Sequence, residues 1–197
     1  MSSAIESLQS NPGTAVTLLP RTPGLLLGPF YPLSPPDDAS GSLWRGSAVP
    51  QGAKRLVLEG LVRETRGATV ADAEVELWHA DPMGRYAHPS SPERVPVLAG
   101  FTGYGRVRSA ADGRFRFETL VPGDYTEAES RRAPHLHLQI TGRFDRLVTQ
   151  LFLPGHPLNA KDRWFGALRH PERLVAEVRA DAPDGLTLHW IAVLHRG

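Results

Sequence analysis

The stretch Arg131-Arg132-Ala133-Pro134-His135-Leu136-His137-Leu138-Gln139-Ile140 admits one local structure. Leu136, Leu138 and Ile140 alternate with His135, His137 and Gln139, and a period of two belongs to a β-strand. Pro134 suits the first position of such a strand, where a missing N–H matters least. Successive strand side chains point to opposite faces, so His135 and His137 share one. Two imidazoles on a rigid face are the start of a metal site, or simply two polar side chains of a strand.

The rest of the chain reads as further short strands divided by turns. Gly occurs 19 times and Pro 18 times in 197 residues, which breaks the chain too often for long helices. Residues 56–64 form the first clear strand, with Leu56, Leu58 and Val62 facing one way. After a turn at Gly67, residues 73–80 alternate as the strand paired with it. Asp112-Gly113 predicts a hairpin turn between strands at 106–109 and 114–119. Residues 124–132 read as a loop carrying Tyr125. Residues 142–145 turn the His strand back onto a partner at 147–153, and 154–164 is a loop. Residues 171–178 give the best short helix, with Pro171 early and Leu174, Val175 and Val178 at helical spacing. Asp184-Gly185 turns into a last strand at 186–194. The sum is an all-β chain: an antiparallel β-sandwich with long loops at one end and one or two short helices. Residues 1–27 read as an arm before a single domain over 28–197. The prolines at 23, 29, 32, 35 and 36 keep the entry to that domain extended.

Composition narrows the chemistry. Cysteine is absent, which excludes a disulfide scaffold, a thiolate nucleophile and a cysteine-held metal. A metal here must be held by His, Asp, Glu or Tyr. The formal net charge of +1 gives no global pull toward nucleic acid or membrane. No apolar run reaches the roughly 18–20 residues that cross a bilayer, and no secretory leader is recognisable, so a cytoplasmic protein is expected.

Two metal readings follow from the residues. In one, His156 joins His135 and His137 on zinc, with water as the fourth ligand of a hydrolase. In the other, Tyr86 and Tyr125, each in a loop beside a strand, supply phenolic oxygen. A free phenol titrates near about pH 10, but a bound cation takes its proton. Two phenolates and a hydroxide neutralise Fe(III). A catechol dianion replacing the hydroxide and one phenolate leaves the site neutral again, with no charge stranded in an apolar cavity. A third reading has no metal: a sandwich that serves as a binding module.

The motifs themselves carry a resemblance. GPFYP at 28–32, VELWHADPMGRYAH at 75–88, DGRFRFETLVPGDY at 112–125, RRAPHLH at 131–137 and TQLF at 149–152 occur in one order. In these the chain resembles the intradiol ring-cleavage dioxygenases, nearest to the iron-bearing subunit of the protocatechuate 3,4-dioxygenase type. That resemblance implies a mononuclear non-haem Fe(III) held by Tyr86, Tyr125, His135 and His137. Tyr125 would be the axial ligand that leaves the iron as a diol chelates, and would accept a proton. Arg132 would stabilise negative charge on the activated substrate. Gln150, in the TQ motif, matches a residue beside the ligands or in the pocket of that family, or is an ordinary strand hydrogen-bonder, and Tyr31 of GPFYP is a candidate for the pocket mouth. The expected partners are a catecholic substrate and O2. Both oxygen atoms would enter as the ring opens between the hydroxyl-bearing carbons to a cis,cis-muconate-type product. The family also implies a homo-oligomer or pairing with a homologous subunit. The segment from Tyr125 to His135 is compact for that family.

Overall fold

Apolar rows of period two need a second apolar surface to cover them, and the chain meets this need with two stacked sheets. The computed structural model describes residues 17–91 and 97–196. Ten strands lie in that part: β1 Arg55–Glu64, β2 Glu74–Trp78, β3 Tyr104–Arg108, β4 Arg114–Leu120, β5 Tyr125–Glu127, β6 Ser130–Arg132, β7 His135–Thr141, β8 Arg146–Phe152, β9 Glu177–Ala182 and β10 Gly185–Leu194. One sheet runs β4-β1-β10-β9 and the other β3-β2-β7-β8. Leu56, Leu58, Val62 and Phe117 from the first sheet meet Val75, Leu77, Leu136, Leu138, Ile140 and Leu147 from the second in one buried core. Gly60 interrupts the apolar row of β1 for a packing reason. A Cβ there would sit 2.0 Å from the ring of Phe115, so only glycine lets that ring lie across the strand.

Several sequence expectations change in detail. Residues 56–64 and 73–80 do not pair: β1 lies between β4 and β10, whereas β2 lies between β3 and β7. Both strands carry an apolar row, and the rows face each other across the core instead of sharing an edge. Asp112-Gly113 is a real turn with Gly113 at φ 81°, yet it leads from one sheet to the other and makes no hairpin. The sandwich is not wholly antiparallel, because β1 and β10 run parallel in register from Arg55↔Gly185 to Glu64↔Leu194. Residues 171–178 hold only a 3-10 turn, Pro171–Leu174, before the chain extends into β9. The exposed edge of β10 needs hydrogen-bond partners, and β9 supplies them. Residues 124–132 are a two-stranded ribbon of β5 and β6, turned at Ala128 with φ 52°. The loop at 154–164 contains a 3-10 turn, Asn159–Lys161, and leads into a short helix, α1 Arg163–Gly166.

The described part of the arm runs along the sandwich. Leu19 N–H donates to Thr65 O, Thr22 N–H to Val193 O and Leu25 N–H to Val148 O, so it touches both sheets. Residues 1–16 of the arm lie outside the described residues. Among the described residues no helix is long and apolar enough to cross a membrane.

The strand β7 is the element that positions the site. It is hydrogen-bonded to β2 on one side and β8 on the other, and it is buried on both faces. Leu138, fully buried directly after His137 in sequence, anchors it to the core. Leu138→Ala is expected to cost about 2–5 kcal/mol of stability. Urea unfolding measures this, and a loss below about 1 kcal/mol would mean that β7 is not the packed centre described.

Candidate metal centre

The two histidines of β7 have their rings fixed from several sides. His135 Nδ1 lies 2.6 Å from Ala133 O, so that nitrogen carries the proton and Nε2 presents its lone pair. His135 Nε2 and His137 Nε2 face each other at 3.1 Å. The indole of Trp78, opposite His137 in the β2–β7 register, stacks on its ring at 5.0 Å and 12°. Gly28 closes another side: a Cβ there would lie 3.0 Å from His137 Cε1, and its φ of +80° also suits glycine. His137 Nδ1 has no hydrogen-bond partner among the described residues.

Both phenols come to the same place. Tyr86 follows β2 and Tyr125 opens β5, and their rings meet edge to face with centroids 5.3 Å apart. Tyr125 lies 5.8 Å from the His135 ring, and Tyr86 lies 6.1 Å from that of His137. Phe30 stacks on Tyr86 at 4.3 Å. The Tyr86 hydroxyl is buried and makes no well-formed hydrogen bond among the described residues, an expensive condition for a group without a ligand.

Burial sets the protonation of all four groups. It lifts the Tyr86 phenol well above its ordinary value, and neighbouring Tyr125 adds to the rise. It pushes Tyr125 up to about 12, while the Arg132 cation pulls the other way. It pushes His135 down to about 3, with Arg132 adding to the fall, and holds His137 well below the usual imidazole range. Near neutral pH the protein therefore presents two neutral imidazoles and two neutral phenols. A cation is what would take the phenolic protons.

Arg132 is 2% exposed, and each nitrogen of its guanidinium is engaged. Nε donates to Asp162 Oδ2 at 2.8 Å and Nη2 to Gln150 Oε1 at 2.7 Å. Nη1 donates to Glu127 Oε2 at 3.1 Å and, more weakly, to Tyr125 Oη at 3.4 Å. Glu127 also accepts from Arg163 at 3.0 Å. Gln150 lies opposite His137 in the β7–β8 register, so the amide joins the arginine to the histidine strand. Arg131, by contrast, is exposed and pairs with Asp124.

Tyr31 stands one step further out. Its ring meets Trp78 edge-on at 5.0 Å, and its hydroxyl donates to buried Glu76 at 2.7 Å. Glu76 also accepts from Tyr104 at 2.5 Å and from the Gln139 amide. Tyr31 thus bears on the site through the indole stacked on His137. His156 does not join the histidine pair. Its Nδ1 accepts from Leu158 N–H at 3.3 Å, and no group of three His, Cys, Asp or Glu side chains among the described residues is arranged to hold a metal. The three-histidine zinc centre is therefore not assembled, and a fuller donor set at this place needs the phenols.

Sequence reasoning missed three contributors. Trp78 reads as an ordinary core residue, yet it is the face on which His137 rests. Glu127 is two residues after Tyr125, and that spacing in a strand already puts both on one face. Asp162 precedes α1 and looks like a helix cap, with nothing in its neighbourhood to tie it to Arg132.

Known proteins share this arrangement of chain. A family model described as "Dioxygenase" matches residues 28–195. The chain is 38% identical over 138 residues to the protocatechuate 3,4-dioxygenase beta chain of Burkholderia cepacia, covering 66% of this chain and 59% of that protein. It is 30% identical over 160 residues to the hydroxyquinol 1,2-dioxygenase of Nocardioides simplex, covering 74% and 52%. The chain therefore spans only between about half and three fifths of these curated relatives. A solved dioxygenase domain superposes with a TM-score of 0.71 at 27% identity, covering 90% of this chain and all of that one. That domain comes from a dioxygenase carbohydrate-binding protein fusion of Streptomyces sp. SirexAA-E. The chain belongs to the intradiol ring-cleaving dioxygenases.

The buried imidazoles make the metal-free protein sensitive to acid. Burial also holds His79 down to about 4. In the unfolded chain each histidine titrates near about pH 6.5. A base whose folded pKa lies below its unfolded one adds stability that is complete above the unfolded value and is lost as pH falls toward the folded value. Stability should therefore decline from about pH 6.5 toward pH 3. Urea midpoints of metal-free protein at pH 7.5 and pH 5 test this, and equal midpoints would mean that these rings are accessible to protons in the folded state.

Proposed function

We propose that this chain holds one non-haem Fe(III) between Tyr86, Tyr125, His135 and His137, and that it opens a catecholic diol between its two hydroxyl-bearing carbons. Both atoms of O2 enter a cis,cis-muconate-type dicarboxylic acid. The observation that carries this reading is the meeting of two phenols and two imidazoles from separate segments at one buried point. There the Tyr86 hydroxyl has no hydrogen-bond partner among the described residues, and two Nε2 atoms face each other at 3.1 Å. Hard phenolic oxygens and neutral imidazoles suit a hard ferric ion, and two phenolates offset most of its charge.

When bound, the ferric ion supplies the Lewis acidity that makes a chelated diol reactive toward O2. The chain's own groups do the rest. Tyr125 Oη, next to the Arg132 guanidinium, would be a phenolate in the iron-loaded protein and would take a hydroxyl proton from the incoming diol, becoming a neutral phenol. Arg132 is a preorganised cation for the negative charge that develops on the ring, and Gln150 keeps its fork in plane. Phe30 and Trp78 exclude water and stop the rings of Tyr86 and His137 from turning. Relatives named for protocatechuate and hydroxyquinol support a catecholic substrate of this class. A relative named as a beta chain supports assembly with a second copy or a homologous subunit.

Protein loaded with ferric iron is expected to be red-brown from phenolate-to-iron charge transfer. It is also expected to consume oxygen with protocatechuate, catechol or hydroxyquinol, giving a product opened between the hydroxyls. Colourless protein that retains zinc instead, or a ring opened outside the diol, would reject the proposal. Within that reading, His137→Ala should lose most of the bound iron by metal analysis. Arg132→Ala should keep the iron and lose on the order of 10²–10³ in turnover. Full iron occupancy in His137→Ala would remove that residue from the ligand set.

A further inference from the structure

We propose that Asp162 is a positioning residue of this site: its carboxylate fixes the Arg132 guanidinium and the N–H of Ala133, the residue whose carbonyl receives the His135 Nδ1–H. The catalytic half of this statement rests on the ring-cleavage reading above, and the structural half does not.

Asp162 is fully buried, and burying a carboxylate is costly unless it is paired and hydrogen-bonded. All its lone pairs are used. Oδ1 accepts from Trp164 N–H at 2.9 Å and Phe165 N–H at 3.2 Å, which caps α1. A cap needs no more than that single oxygen, and Ser or Asn supplies it equally well. The second oxygen does something a cap does not require. Oδ2 accepts from Arg132 Nε at 2.8 Å and from Ala133 N–H at 2.9 Å. The carbonyl of the same Ala133 receives the Nδ1–H of His135 at 2.6 Å. One oxygen therefore holds the arginine directly and the residue on which the histidine leans.

The other carboxylate on Arg132 is a weaker anchor. Glu127 has a 22% exposed side chain and is shared with Arg163. Solvent screens that pair, whereas the Asp162 pair is shielded. Without Asp162, the strongest remaining pull on the guanidinium is outward, toward Glu127. The fork would then be free to turn about Nη1, which donates to both Glu127 and Tyr125, and to leave Gln150, the group that ties it to the histidine strand.

Asp162→Ser and Asp162→Asn both keep a competent cap and remove the carboxylate, so together they separate the two roles. In iron-loaded protein, kcat for diol cleavage is expected to fall on the order of 10²-fold while KM stays within about threefold and iron content is unchanged. In metal-free protein, the drop in urea midpoint caused by Asp162→Asn is expected to shrink to less than half when Arg132 is already Gln, because the lost partner is shared. A kcat within twofold of the parent in both variants, or additive midpoint shifts in the double variant, overturns the proposal. If the parent protein neither binds iron nor cleaves a diol, the ring-cleavage reading fails, and the cycle in metal-free protein still decides whether Asp162 and Arg132 act together.

Discussion

Everything at this site depends on keeping water away from four groups that would be ordinary in water. A phenol and an imidazole near a surface titrate where model compounds do and form hydrogen bonds with solvent. Here burial drives the phenols up and the imidazoles down. All four are neutral, and the Tyr86 hydroxyl and His137 Nδ1 have no hydrogen-bond partner among the described residues. That condition is unfavourable for the folded chain alone. It is tolerable because β7 is clamped between β2 and β8, and because the opposite face of the strand is fixed in the core. The same packing that makes the site costly also holds its rings in place: Trp78 stacks on His137 and Phe30 on Tyr86.

A single guanidinium links this donor set to the rest of the fold. Arg132 takes its partners from β5, from β8 and from the turn before α1, so three parts of the chain far apart in sequence converge on five planar N–H groups. Its fixed fork suits such a junction in a way that a lysine would not. Two carboxylates, one buried and one partly exposed, balance its charge. The site thus holds a permanent cation beside the phenols without leaving a lone charge in the interior.

Much of this was legible before the fold was known. The alternation around His135 and His137 is local, so the shared face and the strand could be read directly, and the motifs around Tyr86 and Tyr125 pointed to the two phenols that the fold brings beside them. Pairing was less legible. The apolar rows of 56–64 and 73–80 look the same whether they sit side by side in one sheet or face each other across the core, because alternation reports burial and not the neighbour. The 171–178 segment misled for a related reason: Leu174 is buried and carries a helical period for one turn, but the open edge of β10 recruits the residues beyond it. Asp162 was invisible because its partners, Arg132 and Ala133, are distant in sequence and lie in a different strand region.

The parallel pairing of β1 with β10 has a consequence for how the molecule is made. The strand that opens the first sheet waits for one near the far end of the described chain, and β4 and β9 flank that pair. Until β10 arrives, β1 offers an unpaired edge and half of the core lacks its cover. The second sheet, with its hairpin of β7 and β8 and its neighbours β2 and β3, is complete earlier along the chain. Closure of long loops before contacts reward it is slow. The histidine strand can therefore form early, on a sheet of nearer neighbours, while the dry interior that tunes its histidines and phenols is sealed only when the last strand of the described chain arrives.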